Sequence, residues 1–179
     1  MDKPVKKPVL NVREITFYAM MGALMFGSKC LMAALPNIHL IALFIIVLTV
    51  VFRWKALFPV YLYVLLEGVV YGFGVWFIGY LYVWAVLFGA VMLLPRKGPV
   101  WLRIALYSLA GGLHGILFGT MLSPVQAVIF GLDIKGSLAW IAAGFPYDVI
   151  HGISNAVLCG LSWPLIKLLT KLKTKLFLP

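Results

Sequence analysis

Apolar stretches of helix length follow one another along most of the chain, at residues 14–35, 38–52, 56–71, 79–94, 101–122 and 137–169. A helix needs about 20 apolar residues to cross the ~30 Å hydrocarbon core of a bilayer. The chain is 64% hydrophobic and only 11% charged, which is more apolar surface than one water-soluble domain can bury. The sequence therefore predicts an all-α membrane protein, a single domain over residues 1–179 with six transmembrane helices in one bundle.

The connections between these stretches predict the orientation in the membrane. All but Lys29 and Lys135 of the 15 Lys and Arg residues lie near the ends of the predicted helices that share one side. Cytoplasmic connections are rich in Lys and Arg, so both termini are expected in the cytoplasm, with a basic N-terminus at residues 1–13 and a basic tail at residues 170–179. The longest connection, residues 123–136, is expected outside as a loop that holds a short amphipathic segment or a lid. Because the charges form clusters between apolar stretches, the net charge of +10 does not indicate a nucleic-acid partner.

The last apolar stretch carries polar side chains at helical spacing. Asp148, His151 and Asn155 stand at i, i+3 and i+7, so a helix places them on one face. An ionisable side chain that faces lipid costs about 3 kcal/mol or more. We therefore expect this polar stripe, together with the neighbouring Tyr147, to form one wall of a binding cavity.

Two further charges are expected inside the membrane, in the outer halves of their helices. Glu67 has Tyr63 and Tyr71 four residues away on either side, and these phenols can hydrogen-bond the carboxylate or a ligand. Lys29 has no acidic neighbour in its own helix and needs a counter-charge. Both residues can border an outward-facing pocket, or Lys29 can form a structural ion pair with Glu67 or Asp148 that holds helices together.

Aromatic and histidine side chains gather where the predicted outer connections begin and end. Their rings predict a pocket mouth with stacking surface for a ligand, or an aromatic belt at the outer membrane interface; the residues are Tyr71, Trp76, Tyr80 and Trp84. His39 opens the second predicted helix, where it can lie on the pocket rim or in solvent. His114, among glycines in the fifth predicted helix, is expected to be a hydrogen-bonded core residue.

Motifs of enzymes and metal sites are missing from the sequence. It has no His-Glu-x-x-His, Gly-x-Ser-x-Gly or Cys-x-x-Cys motif and no Gly-rich nucleotide-binding loop, so we predict no catalytic residues, no metal, no cofactor and no ATP hydrolysis by this chain. In the first helix, Ala19, Gly22 and Ala23 form a stripe of small residues. Such a stripe lets a partner helix approach closely, or packs inside the same chain.

The short six-helix pattern, the Ala19-x-x-x-Ala23 motif and the Asp148-x-x-His151-x-x-x-Asn155 stripe ahead of Pro164 resemble the S components of energy-coupling factor (ECF) transporters. These are membrane subunits of ABC-type importers that bind a vitamin or related micronutrient outside the bacterial cell. The resemblance implies location in the bacterial plasma membrane and a contact of Ala19 and Ala23 with the transmembrane T component. Two cytoplasmic ATPases would drive the subunit to topple and release its ligand inside.

The resemblance also implies a pocket built from the outer loops and the outer halves of the later helices. That is where the candidate residues fall: Glu67, Trp76, Tyr80, Trp84, Tyr147, Asp148, His151 and Asn155. The many aromatic residues favour a large, mostly neutral ligand such as cobalamin. Pantothenate, folate, a pyridoxine or pyrimidine precursor and a queuosine precursor stay open, as does a non-ECF protein such as a stand-alone facilitator or membrane enzyme.

Overall fold

The computed structural model of the protein describes residues 10–177, and all regular secondary structure in this range is helical. The helices are α1 (Val12–Leu31), α2 (Ile41–Phe52), α3 (Leu57–Tyr71), α4 (Val75–Leu93), α5 (Val100–Ile116), α6 (Phe118–Phe130), α7 (Ile134–Cys159) and α8 (Ser162–Phe177), with one 3-10 turn over Arg53–Ala56. The predicted all-α class is confirmed. Residues 1–9 of the predicted N-terminal segment and residues 178–179 of the predicted tail lie outside the described range.

Local side-chain chemistry explains where several helices begin and end. Asn11 caps α1 in a capping box, in which its side chain accepts from the Glu14 N–H and the Glu14 carboxylate accepts from the Asn11 N–H. Asp133 caps α7, because its side chain accepts a hydrogen bond from the Gly136 N–H. Gly72 ends α3 with a φ of 87°. Glycine adopts positive φ values more easily than any other residue, because it has no Cβ.

The core of the bundle is α2. Its sequence is apolar on every side, and ten of its 12 residues are buried. A helix that is hydrophobic all round packs at the centre of a bundle, and α2 contacts α4, α7 and α8 as well as α1 and α5. These five helices therefore pack around α2.

The direction of the first three helices follows from two ion pairs. Near the start of α1, the Glu14 carboxylate contacts Lys55, just ahead of α3, and near its end Lys29 contacts Glu67 on α3. The helices α1 and α3 are therefore parallel. Helix α2 runs the opposite way, because it ends with Phe52 against Tyr18 near the start of α1.

Helices α5 and α7 make the closest helix contact through small residues. A Cβ on Gly115 would lie 2.7 Å from the Cα and N atoms of Gly152, and a Cβ on Gly112 would lie 3.1 Å from the Ala156 Cβ. Small residues let membrane helices approach to backbone contact. His114 is buried between these glycines, with Nε2 3.0 Å from the Val83 carbonyl oxygen, as expected for a core histidine.

The structure corrects three sequence-based boundaries. The fifth predicted helix, 101–122, breaks at Leu117, and the sixth, 137–169, breaks at Gly160, where α7 and α8 bend by 55°. Pro164 lacks an N–H and fits the first turn of a new helix, which favours the second break. The outer connection at 123–136, expected to hold a short amphipathic segment or a lid, is mostly helical, since α6 continues to Phe130. A helix satisfies the backbone hydrogen bonds of apolar residues where water is scarce.

Within residues 10–177, three helical stretches are long and apolar enough to cross a membrane: Ile41–Tyr71, Val75–Leu93 and Val100–Phe130. A fourth is added if α7 and α8 count as one bent span. The first stretch reverses direction at its 3-10 turn, where Arg53 has a φ of 57°, so it contributes two antiparallel helices to the bundle. These apolar helices agree with a membrane-embedded protein.

Candidate functional site

A cavity of about 450 Å³ lies at the end of the bundle where α1 and α3 finish. It is bordered by the α1–α2 connection, the ends of α1 and α3, the start of α4 and α6, and the middle of α7. The lining residues are Lys29, Met32, Ala33, Leu35, Pro36, Asn37, Ile38, His39, Glu67, Tyr71, Trp76, Tyr80, Phe118 and His151. Seven of these were candidates from sequence alone: Lys29, His39, Glu67, Tyr71, Trp76, Tyr80 and His151.

An ion pair forms one side of the cavity. Lys29 Nζ lies 2.5 Å from Glu67 Oε2, and the Glu67 side chain is 2% exposed. Of the two counter-charges left open by the sequence, the structure selects Glu67, because parallel packing of α1 and α3 brings the two residues to the same level. Lys29 also lies 5.3 Å from the ring centre of Tyr80, a cation–π distance.

Aromatic rings in edge-to-face contact form the floor of the cavity. The ring centroids of Trp76 and Tyr80 are 5.1 Å apart, and those of Tyr80 and Trp84 are 5.4 Å apart. Phe118 lies 4.9 Å from His151, whose ring is 4.8 Å from that of His39. Edge-to-face contacts hold such rings in fixed orientations, so the floor is largely preformed.

Three polar atoms of the lining residues are buried without a hydrogen-bond partner among the described residues. They are Glu67 Oε1, His39 Nδ1 and His151 Nε2. Buried polar groups in proteins are normally hydrogen-bonded, and an exception is explained by a bound molecule, an ordered water or ion, or a functional reason. The three atoms belong to residues on three different elements that border one cavity.

Three polar-stripe residues have separate positions although all are buried. His151 lines the cavity, while Asp148 accepts a hydrogen bond from the Gly119 N–H at 3.0 Å. Gly119 is the second residue of α6, so Asp148 caps the start of that helix from a neighbouring helix. Asn155 is 1% exposed and lies deeper, with both amide atoms unpaired among the described residues.

Two aromatic candidates also lie outside the cavity lining. Trp84 is fully buried under the floor, between Tyr80 and Phe118, so the interpretation as an outer-interface residue is wrong for this ring. Tyr147 is 57% exposed on the outer surface of α7. The direct neighbour of Asp148 therefore points away from the buried face, as its position in a helix requires.

The α1–α2 connection covers one side of the cavity, and of its residues only His39 was a candidate from the sequence. The missed lining residues are Met32, Ala33, Leu35, Pro36, Asn37 and Ile38, together with Phe118 at the start of α6. The Ser154 hydroxyl on α7 lies within hydrogen-bond distance of the carbonyl oxygens of Asn37 and His151, at 3.2 and 2.9 Å. In the sequence, Pro36-Asn37 is typical of a turn, but such a dipeptide does not say what the turn covers.

The small-residue stripe of α1 divides between two environments. Ala19 and Ala23 are exposed on the bundle surface. Gly22 is buried against α3, where a Cβ would lie 2.9 Å from the Leu62 side chain. Gly22 is therefore an internal packing residue, which corrects its assignment to a partner surface, while the two alanines remain accessible.

The site is suited to binding by its shape and its polar atoms. Among residues 10–177, no group of three or more His, Cys, Asp or Glu side chains is placed to hold a metal ion. No protein-family model, curated protein or solved structure matches the chain.

Proposed function

We propose that the protein is the substrate-binding S component of an ECF-type importer and takes up a vitamin-like small molecule across the bacterial plasma membrane. The observation that carries this proposal is the cavity itself, with a buried ion pair, an aromatic floor and three unpaired polar atoms. A few convergent polar groups in a mostly apolar hollow are typical of small-molecule sites.

The distribution of basic residues supports an outward-facing cavity. Arg53, Lys55 and Lys173 surround a second hollow beside Glu14, at the opposite end of the bundle from the cavity. Since cytoplasmic connections collect Lys and Arg, this end belongs in the cytoplasm together with both termini. In this proposal six spans cross the bilayer, formed by α1, α2, α3, α4, the α5–α6 pair and the α7–α8 pair.

The size of the cavity bears on the choice of ligand. About 450 Å³ is within the range of about 300–1,000 Å³ that small-molecule sites occupy. Cobalamin, favoured by the aromatic content, is several times larger than a one- or two-ring compound. The volume therefore supports the smaller alternatives, a pyridoxine or pyrimidine precursor or a queuosine precursor. Pantothenate would need an unpaired cation, and Lys29 already has Glu67 as its partner.

Isothermal titration of the purified protein against a vitamin and precursor panel tests the proposal. We expect one member to bind with a stoichiometry of one, and to be recovered unchanged when the ligand is analysed by mass spectrometry. A chemically altered ligand would favour the membrane-enzyme alternative. No binding by any member would overturn the proposed function.

The exposed alanines of α1 provide the proposed contact with the T component. Replacing Ala19 or Ala23 with Trp is expected to abolish uptake in cells that carry the T component and the ATPases, while ligand affinity stays within about twofold, because neither residue borders the cavity. Ala142→Trp, on an exposed position of α7, is the matched control and should keep uptake. Lost affinity in the α1 variants would show that the alanines pack inside the chain.

A further inference from the structure

The two oxygens of the Glu67 carboxylate are used differently. Oε2 contacts Lys29 Nζ, whereas Oε1 is buried and has no hydrogen donor among the described residues. Glu67 borders the cavity. A carboxylate oxygen only accepts hydrogen bonds, so the group that satisfies Oε1 is a donor, and a ligand in the cavity is placed to supply it.

The charge of the lining restricts the ligand further. Lys29 and Glu67 are the only Lys, Arg, Asp or Glu side chains among the described residues that line the cavity, and they neutralise each other. A ligand carboxylate would meet the Glu67 charge, and a ligand cation would compete with the Lys29 ammonium. Burial of an unpaired charge is costly, so the lining favours a ligand without net charge.

The rings around the cavity restrict its shape. Trp76, Tyr80 and Phe118 offer flat apolar surfaces, and their contacts with neighbouring rings hold them in place. His39 Nδ1 and His151 Nε2 add two unpaired ring nitrogens, each of which donates or accepts according to its tautomer. A planar ring that carries both donors and acceptors satisfies all of these groups.

Resting on the proposed function, we propose that the ligand is an uncharged, planar nitrogen heterocycle whose N–H edge donates to Glu67, as in a ring with an amide N–H beside an amino group. Because the Trp76 and Tyr80 rings are inclined at 74°, the flat ligand stacks its face on one of them and meets the other with its edge. Its remaining polar atoms pair with His39 and His151. Glu67 Oε1 is thus the acceptor that determines the substrate class, and the contact of Lys29 with Oε2 holds this carboxylate in place.

Ligand analogues test this on the unmodified protein. Titration with guanine, 7-deazaguanine and uracil as N–H probes is expected to show binding by at least one of the three. If guanine or 7-deazaguanine binds, its 1-methyl derivative, which lacks the amide N–H of the six-membered ring, should bind at least about tenfold more weakly, because a site built around a hydrogen bond rejects the analogue that lacks it. Pantothenate and nicotinate, which carry carboxylates, should not bind.

A matched pair of variants tests the role of the carboxylate. In Glu67→Gln an amide NH2 replaces one carboxylate oxygen, so a donor faces either Lys29 or the ligand N–H. The affinity for the N–H probe should fall at least about tenfold. Glu14→Gln changes the other ion-paired glutamate, at the opposite end of α1, and should leave affinity within about twofold. Circular dichroism of both variants checks the fold, and the methylated analogue gives the answer without any variant.

The outcomes separate this inference from the proposed function. Binding of a carboxylate vitamin in place of the N–H probes overturns the inference and leaves a nutrient-binding subunit. The same holds if an N–H probe binds equally well after methylation or after Glu67→Gln. If neither the probes nor any member of the vitamin panel binds, the proposed function itself is overturned.

Discussion

The contact between α5 and α7 predicts a large effect of one added methyl group. In Gly115→Ala the new Cβ would lie 2.7 Å from the Gly152 Cα and N atoms and 2.8 Å from the His151 carbonyl carbon. Carbon atoms in favourable contact are about 3.5–4.0 Å apart, so the two backbones must separate by roughly 1 Å. Neither helix can relieve this by rotating a side chain, because backbone meets backbone.

The magnitude follows from two opposing effects. Overpacking costs about 1–3 kcal/mol, and the upper end applies here because the atoms in contact are backbone. Alanine regains about 1 kcal/mol of helix propensity over glycine. The net loss is therefore about 2 kcal/mol of unfolding free energy. Gly144→Ala lies on α7, with nothing within 4 Å of the added Cβ. This substitution gains helix propensity without overpacking, so it should raise the unfolding free energy by up to about 1 kcal/mol.

Thermal unfolding of both variants in detergent, followed by circular dichroism, measures this difference. About 3 kcal/mol between the variants corresponds to about 6–12 °C in Tm for a chain of this size. Since His151 directly precedes Gly152, ligand affinity should also fall in Gly115→Ala and not in Gly144→Ala. Equal melting temperatures would refute the close approach of α5 and α7.

Two smaller predictions concern single polar contacts. Asp148→Leu leaves the Gly119 N–H buried without its acceptor, which should lower the unfolding free energy by about 1–3 kcal/mol in the same melting assay. Asp148→Asn keeps an acceptor oxygen and should lower it much less. Equal losses in the two variants would contradict the capping role. Glu14→Gln keeps the cap of α1 but removes the ion pair with Lys55, whose side chain is 40% exposed. It should cost about 1 kcal/mol or less, with the difference shrinking in high salt, and a salt-independent loss would contradict an ionic origin.

Short-range features of the fold and the site were predictable because helix geometry is local. Spacing alone placed Asp148, His151 and Asn155 on one face, and all three are buried. Which of them borders the cavity depends on where the α1–α2 connection and α6 lie, and spacing within one helix contains no such information. His151 reaches the hollow, whereas Asp148 is used by the backbone of α6.

Long-range pairing and helix breaks were not predictable from hydropathy. The sequence left Lys29 with two possible counter-charges, and the choice of Glu67 depends on the parallel packing of α1 and α3. The break at Leu117 lies between apolar residues on both sides, so the hydropathy pattern passes through it unchanged. Gly22 and Ala19 are both small residues, and the position of Leu62 shows that the glycine faces inward.

The two ion pairs between α1 and the α3 segment have opposite polarity. Glu14 is the anion at one end of α1, and Lys29 is the cation at the other, about 22 Å along the helix. Sliding α1 by one turn, about 5.4 Å, would separate both pairs at once, so both pairs oppose movement of α1 relative to α3. In the proposed function, a force that a partner applies at Ala19 would therefore move α1 together with α3 and would reach the Lys29 ammonium group beside the cavity.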